Sequence, residues 1–307
     1  MRFLKGHGTG NDFVILPDPD GLLDLPPQAV ALICDRHAGL GADGVLRAVR
    51  CAAAGPAAGP WAARAAEQGA QWFMDYRNSD GSVAEMCGNG VRVFARYLLE
   101  AGLAEGPELA LGTRAGVRVV RADGGGWFTA DMGPAQVTGT GSARLGERGY
   151  EGLAVSIGNP HLVCLIPGPV ADVDLTRPPE LDPALFPAGA NVEVIRVTGD
   201  HQAEMRVYER GSGVTLSCGT GAVAAAVGAA VAAGEWQDGP ELSWALEVPG
   251  GRLAVTPSGA ASRLSGPAVI VAAGELDDTW LRESLAARAA GGEPAGRRRP
   301  ATMSGIS

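Results

Sequence analysis

Two cysteines stand in matching glycine-rich phrases. Cys87 lies in EMCGNG (residues 85–90) and Cys218 lies in LSCGTG (residues 216–221), and each directly precedes Gly-x-Gly. A run with helical character follows each phrase, which predicts that both thiols lie at the N-terminus of a helix. Either phrase alone would be an ordinary helix start. Their recurrence at matching places in two halves of the chain indicates a shared chemical role.

A helix N-terminus presents unpaired N–H groups and a partial positive charge. A cysteine at this position is expected to have a stabilised thiolate and therefore a lowered pKa. The glycine backbone that follows can approach an anion closely because no side chain intervenes. Two such turns facing each other in one cleft would hold a carboxylate between them, with a sulfur on each side of the adjacent carbon.

That arrangement suits inversion of a stereocentre next to a carboxylate. A thiolate removes the proton from one face, and the opposed thiol returns a proton to the other face. The developing negative charge needs preorganised donors, which the two helix ends supply. The chain contains very few lysines and shows no pyridoxal-lysine motif. We therefore expect this chemistry to proceed without a cofactor.

The other cysteines and glycines predict no second chemistry. The five cysteines are odd in number and lack CxxC spacing, which favours neither a disulfide framework nor a zinc site, so we expect no metal. The stretch GLGADG (residues 39–44) matches a dinucleotide-binding fingerprint. A helical segment precedes it and a strand-like segment follows, the reverse of the order that such a site needs. We interpret it as a helix stop.

The composition excludes several classes of protein. A net charge of −9 over 307 residues disfavours a nucleic-acid binder, which needs a basic surface. No apolar run approaches the roughly 20 residues of a membrane span, and the N-terminal segment lacks the pattern of a signal peptide. We therefore expect a cytoplasmic protein that acts on a small molecule, with no nucleic-acid or membrane partner. The basic cluster Arg297–Arg299 lies in residues 288–307, a predicted disordered tail.

The chain also shows an internal repeat. Gly10 begins GNDFVIL and Gly158 begins GNPHLVCLI, and each phrase precedes the cysteine turn of its half. The first half carries in addition an alanine-rich segment, residues 52–70, which we interpret as a surface insertion. The predicted domains are residues 1–128, joined by a last strand near 266–276, and residues 129–265.

The predicted elements are many short strands and few helices. Most strands are separated by turn residues rather than by helices, which disfavours a doubly wound parallel sheet. In each half the longest helical pattern directly follows the cysteine turn. We therefore predict an α+β protein of two pseudo-symmetric domains, each a strand barrel or sheet wrapped around a central helix. The predicted helices are 27–37, 89–101, 219–233 and a short one near 276–288.

These residues resemble the diaminopimelate epimerase family over nearly the whole chain. The resemblance implies cofactor-independent conversion of LL-2,6-diaminopimelate to the meso isomer, in lysine and peptidoglycan biosynthesis. It also implies the two-domain fold of that family, and a homodimer. The motifs that carry it are GNDFV (10–14), RHAGLGADG (36–44), YRNSDGSVAEMCGNGVRVFAR (76–96), GNPHLV (158–163), GANVEVI (189–195) and YERGSGVTLSCGTGAVAAA (208–226).

The resemblance further implies a role for each site residue. Cys87 and Cys218 would be the acid/base pair, and His161 would lie near them. Backbone N–H groups would hold the reacting carboxylate, at Gly88, Asn89, Gly219 and Thr220. Side chains would hold the rest of the substrate, mostly its distal end: Asn11, Asn78, Asn159, Asn191, Glu209 and Arg210. An arginine suits bidentate carboxylate binding, and a glutamate can pair with an ammonium group.

Each of these side chains also has a purely structural interpretation. Asn78, in RNSDGS, is a residue type that builds turns. His161 could be a packed histidine with its hydrogen bonds satisfied. Glu209 and Arg210 could form a surface ion pair.

Two other functions fit parts of the sequence. A proline or hydroxyproline racemase would share the fold and the thiol chemistry, but such enzymes carry a histidine in the first cysteine turn. Glu209 and Arg210 also imply a second charged end on the substrate, which proline lacks. A redox protein would instead join Cys87 and Cys218 in a regulatory disulfide.

Overall fold

The computed structural model describes residues 1–56, 58–236 and 242–289. Most of the predicted tail, including Arg297–Arg299, lies outside these ranges. The helices of the described part are α1 (Pro27–Cys34), α2 (Gly59–Glu67), α3 (Gly88–Glu100), α4 (Gly219–Ala233) and α5 (Asp278–Ala289). None of them is long and apolar enough to cross a membrane. The prediction for 219–233 is confirmed by α4, and that for 89–101 is displaced from α3 by a single residue.

The described strands follow in chain order. They are β1 (Arg2–Gly8), β2 (Asn11–Pro17), β3 (Gly44–Arg50), β4 (Trp72–Asn78), β5 (Glu108–Thr113), β6 (Gly116–Gly124), β7 (Trp127–Gly133), β8 (Gln136–Leu145), β9 (Arg148–Ser156), β10 (Pro160–Leu165), β11 (Glu180–Leu181), β12 (Asn191–Gly199), β13 (Gln202–Glu209), β14 (Gly213–Thr215), β15 (Trp244–Val248), β16 (Gly251–Thr256), β17 (Ser262–Pro267) and β18 (Val269–Glu275).

The strand pairing repeats itself in two sets. The first set is ordered β18-β1-β2-β3-β4-β5-β6-β7. The second is ordered β8-β9-β10-β12-β13-β15-β16-β17. In each set the third and fourth strands are parallel, the fifth and sixth are parallel, and the other pairs are antiparallel. The sets join through β7 and β17. The predicted pseudo-symmetric α+β fold is confirmed.

Each set surrounds one helix. Nearly all residues of α4 from Gly219 to Ala230 are buried, and they are almost all alanine, valine or glycine. Such a helix is apolar on every face because strands cover every face. Small residues also let the strands come close. A Cβ atom on Gly228 would lie 2.6 Å from Cγ1 of Val163, so a larger side chain there would cost about 1–3 kcal/mol of stability.

The alanine-rich segment 52–70 contains a helix that the sequence pattern did not predict. Its helix, α2, buries Ala62 and Ala65 in a small cluster with Phe73 of β4. Trp61 of the same helix is 40% exposed. The segment is therefore a packed addition to the outside of the first strand set.

The glycine motif at residues 39–44 connects a helix to a strand, which agrees with its interpretation as a helix stop. Helix α1 ends at Cys34, shorter than the predicted 27–37, and β3 begins at Gly44. Gly41 has a φ of +69°, a left-handed conformation that favours glycine. The motif thus reverses the chain between a helix and a strand.

Candidate active site

The two cysteine turns have the same local structure. Cys87 caps α3, and its sulfur accepts a hydrogen bond from the N–H of Gly90 at 3.3 Å. Cys218 caps α4, and its sulfur accepts from the N–H of Gly221 at 3.4 Å. Both cysteines have extended backbones, with φ/ψ of −137°/120° and −119°/123°. In each turn the capping atom is therefore the sulfur itself.

The helix starts that follow the two cysteines touch each other. A Cβ atom on Gly219 would lie 3.1 Å from the Cα of Gly88, and one on Gly88 would lie 2.7 Å from Cε of Met132. A side chain at Gly219 would press on the backbone of Gly88, and one at Gly88 would press on Met132. The positive ends of α3 and α4 therefore converge on one junction, with a cysteine next to it on each helix.

The expected lowering of the thiol pKa values is wrong. Burial raises the pKa of Cys87 to about 11, and the nearby Glu209 carboxylate adds to that effect. Burial also raises the pKa of Cys218 well above its usual range, together with Glu209 and Glu193. Hydrogen bonds from the helix backbone act in the opposite direction but are outweighed. Both cysteines are therefore thiols at neutral pH.

A chain of amides meets the Cys87 thiol. The thiol donates to Oδ1 of Asn11 at 3.5 Å, and Nδ2 of Asn89 donates to the same oxygen at 3.3 Å. Nδ2 of Asn11 donates in turn to Oδ2 of Asp43 at 2.8 Å. Asp43 also pairs with Arg36 at 2.7 Å. The surroundings of Cys87 are thus mainly neutral hydrogen-bonding groups.

A different chain runs from the Cys218 thiol. Its sulfur lies 3.6 Å from Oγ1 of Thr220, to which Nδ2 of Asn159 donates at 3.4 Å. Oδ1 of Asn159 lies 3.0 Å from Nε2 of His161, whose Nδ1 lies 2.8 Å from Oε1 of Glu193. His161 and Glu193 are completely buried. His161 is therefore near Cys218, but as a satisfied residue three hydrogen bonds away from it.

Glu209 and Arg210 lie in different places although they are adjacent in sequence. The Cys218 thiol favours the ionised form of Glu209, but burial outweighs it and raises the pKa of this carboxyl. Thr215 donates to the same carboxylate. Arg210 is exposed, and its Nη1 donates to the carbonyl of Ala188 at 3.2 Å. Glu209 thus belongs to the cysteine junction rather than to a distal end, and no ion pair joins it to Arg210.

The remaining predicted residues lie at the ends of strands. Oδ1 of Asn191 accepts from the backbone N–H of Arg210 at 2.8 Å. Nδ2 of Asn78 donates to Oγ of Ser82 at 3.0 Å within a turn. Their present contacts are structural.

Sequence reasoning missed the residues that join the two turns. Oγ1 of Thr9 donates to Oγ of Ser217 at 2.8 Å, and Nδ2 of Asn89 donates to the carbonyl of Ser217 at 3.1 Å. Arg92 and Glu193, both completely buried, lie behind the turns. A charged residue inside an apolar run, as in GVRVF and NVEVI, is the pattern that could have found them. In the described ranges no cluster of His, Cys, Asp and Glu could hold a metal ion.

Solved structures share the fold at low sequence identity. A Bacillus anthracis phenazine biosynthesis protein superposes with a TM-score of 0.63 at 16% identity, covering 90% of this chain and 99% of that chain. A hydroxyproline epimerase from Agrobacterium vitis superposes with a TM-score of 0.62 at 15% identity, covering 89% and 91% of the two chains. These likenesses concern the fold alone.

The sequence comparisons identify the family. The family profile named Diaminopimelate epimerase matches residues 3–138 and 153–275. The diaminopimelate epimerase of Thermobifida fusca is 56% identical over 282 residues, which cover 92% of this chain and all of that protein. That of Streptomyces coelicolor is 51% identical over 292 residues, covering 93% and 99% of the two chains. Matching cysteine turns, the shared fold and these relatives together show that the chain is an isomerase of the diaminopimelate epimerase family.

Proposed function

We propose that this protein interconverts LL- and meso-2,6-diaminopimelate without a cofactor, using Cys87 and Cys218 as the acid/base pair. The observation that carries the proposal is the pair of cysteine-capped helices whose first residues touch. The names of the family relatives support the substrate. The reaction would serve lysine and peptidoglycan biosynthesis.

The reacting carboxylate would lie at the junction of the two helix starts. The N–H groups that hold it would come from Gly88, Asn89, Gly219 and Thr220. One sulfur, as a thiolate, takes the proton from the α-carbon and becomes a thiol. The resulting carbanion spreads its charge onto the carboxylate, where the helix ends stabilise it. The other thiol then returns its proton to the opposite face and becomes the thiolate, so that reversal exchanges the two roles.

Substrate binding would supply the missing thiolate. In the ligand-free protein, burial and Glu209 keep both thiols protonated. Glu209 would bind the ammonium group on the reacting carbon. This pairing would offset the negative charge of Glu209 and bring a positive charge beside the sulfurs. A nearby positive charge favours the ionised form of an acid. One thiol would then release its proton to solvent, so the base would form only when the substrate is present.

The distal end of the substrate would be held by side chains at the rim. Arg210 is exposed, and among the described residues the guanidinium has one hydrogen bond, to Ala188. Its remaining N–H groups are suited to a bidentate carboxylate. The amides of Asn78 and Asn191 would complete this end, and those of Asn11 and Asn159 would face the reacting end.

Exchange in D2O tests the proposal. Reduced protein incubated with LL-diaminopimelate should yield the meso product with deuterium at one α-carbon. The alternative is a proline-type racemase, favoured only by the fold shared with the hydroxyproline epimerase. Exchange into proline or hydroxyproline, with none into diaminopimelate, would establish that alternative instead.

We also propose a cytoplasmic homodimer and the domain division given above. The pairing of β17 with β7, and of β18 with β1, supports a crossover of the chain near residues 266–269. Light scattering should give about twice the chain mass of 31.2 kDa.

A further inference from the structure

Arg92 is a buried cation with no carboxylate partner among the described residues. It lies in the second turn of α3 and is completely buried. Its Nη1 donates to the carbonyl of Gly88 at 3.2 Å, and its Nη2 lies 2.9 Å from Oδ1 of Asn89 and 3.5 Å from Oγ1 of Thr9. Within the part of the chain that the structure describes, its Nε has no hydrogen-bond partner. None of the ion pairs of the described residues includes it, so its desolvation is not offset by a fixed anion.

The backbone around Arg92 is shaped for the guanidinium. A Cβ atom on Gly8 would lie 3.1 Å from Nη2, and one on Gly266 would lie 3.2 Å from the same atom. Glycines at the end of β1 and in β17 therefore leave the space that this group occupies. Two distant segments close on it, which is the arrangement of a built site rather than an accidental burial.

The hydrogen-bond chain that starts at Arg92 has one direction only. A guanidinium can only donate, so it requires the oxygen of Asn89 to face it. The amide nitrogen of Asn89 then faces Oδ1 of Asn11, and the nitrogen of Asn11 faces Asp43, whose carboxylate can only accept. The Arg92 donor at one end and the Asp43 acceptor at the other thus fix the orientation of both amides. The oxygen of Asn11 is consequently the atom that meets the Cys87 thiol.

The same amide links Arg92 to the second cysteine turn. Nδ2 of Asn89 lies 3.1 Å from the carbonyl of Ser217, the residue before Cys218. Thr9, which contacts Arg92, donates to the hydroxyl of Ser217. A flipped Asn89 amide would place its oxygen against that carbonyl and break the link.

We propose that Arg92 is a positioning residue for both cysteine turns, which sets the direction of the Asn89–Asn11 amides and places a fixed positive charge behind the reacting carboxylate and sulfurs. The inference rests on the proposed two-cysteine function. The anion that offsets the buried charge is the one that the reaction supplies, first the thiolate and the bound carboxylate, then the carbanion. This explains why Arg92 has no carboxylate partner among the described residues.

The charge of Arg92 should be visible in the ionisation of Cys87. The ionisable groups whose charges act on Cys87 or lie near it are Glu209 from β13, Arg92 from α3, Asp43 before β3 and Tyr76 from β4. Arg92 is the cation of this group, and it lowers the pKa of Cys87. Removing it leaves the backbone N–H groups of Gly90 and Asn89 as the groups that favour the thiolate.

The test uses Arg92→Met and Arg92→Lys, with Arg96→Met as the matched control. Arg96 is one turn further along α3 and pairs with the exposed Glu100 at 2.7 Å. For each folded variant, iodoacetamide alkylation of Cys87 is followed against pH by peptide mass spectrometry, and kcat and KM are measured with diaminopimelate. The alkylation readout requires no substrate, so it remains informative even if the proposed activity is absent.

Loss of the charge should move the alkylation profile of Cys87 upward in Arg92→Met. Its kcat should fall by up to about a hundredfold, because the turns are misplaced. Arg92→Lys keeps the charge but not the fork, so its alkylation profile should stay near that of the wild type while kcat falls. The Arg96→Met control should change neither.

Two results would overturn the proposal. One is a folded Arg92→Met protein whose Cys87 profile and kcat both match those of the control. The second result applies even if Arg92→Met does not fold. It is an Arg92→Lys protein whose kcat lies within about twofold of the wild type, which would show that the guanidinium group does not position the turns.

Discussion

The Cys87 turn and the Cys218 turn are alike in backbone and different in charge. Both sulfurs cap a helix and accept from the second glycine of Gly-x-Gly. Behind Cys87 lie two amides and the cation Arg92, whereas Cys218 contacts Glu209 and lies near Glu193. Burial raises both pKa values, but that of Cys218 more, because two carboxylates act on it. An inverting site needs one acid and one base at a time, and unequal surroundings distinguish two otherwise equal thiols.

Removing either sulfur should break the pair. Cys87→Ala and Cys218→Ala should each lower kcat by about a thousandfold or more, because each removes a proton donor or acceptor. Far-UV circular dichroism should remain that of the wild type, since each residue lies in a turn. An alanine variant of either cysteine that keeps near wild-type kcat would contradict the two-base mechanism.

Ionisation of the two thiols at alkaline pH should show directly that their pKa values differ. A thiol whose pKa is raised to about 11 gains its thiolate, and so its reactivity, only as the pH approaches 11. In the ligand-free protein at pH 8.5, Cys87 should therefore react with iodoacetamide about a hundredfold more slowly than the same residue in urea. Cys218 should need a still higher pH. Reaction of both cysteines at the rate of the unfolded chain would refute this.

The same shift makes stability depend on pH. Because the folded pKa of Cys87 lies above the unfolded one, folding is favoured below about pH 8.5, and that contribution is lost as the pH rises toward 11. Burial also raises the pKa values of Cys34 and Cys164, each to about 12, and these act in the same direction. The Tm should therefore fall steadily above pH 9, with less of a fall in Cys87→Ala.

Arg210 lies outside both turns and should affect binding alone. Arg210→Lys replaces a fork by a point charge, so KM for diaminopimelate should rise by about tenfold to a hundredfold. The kcat and the alkylation profiles of both cysteines should remain unchanged. An unchanged KM would remove Arg210 from the site.

Glu193 offers a way to make the two turns more alike. Glu193→Gln retains an acceptor for His161 but removes a negative charge near Cys218, whose pKa that charge raises. The alkylation profile of Cys218 should move down by about one pH unit, while that of Cys87 stays in place. The exposed Glu180→Gln serves as the control. Equal movement of both cysteines would show that Glu193 does not act on one turn selectively.

The sequence pattern predicted the elements that carry regular apolar periodicity. Helix α4 lies where the pattern places it, and the segments RFLKGHG, GVLRAVR and WFTADMG, which predict strands, coincide with β1, β3 and β7. Strand β8 (Gln136–Leu145) was missed because its glycines, threonines and exposed positions show no alternation. Strand β17 (Ser262–Pro267) was missed because Leu264 is its one large apolar residue. These strands are held by their neighbours in the sheet rather than by their own propensity.

The cysteine turns could be identified from six-residue phrases because a helix cap is a local structure. Its donor and acceptor lie three residues apart, so the chain order alone decides their contact. The charges around each sulfur could not be identified in this way. Glu193 and Glu209 reach Cys218, and Asp43 reaches Asn11, only because distant strands pair side by side. The pKa of each thiol depends on that assembly and on the water it excludes, and both are properties of the tertiary structure.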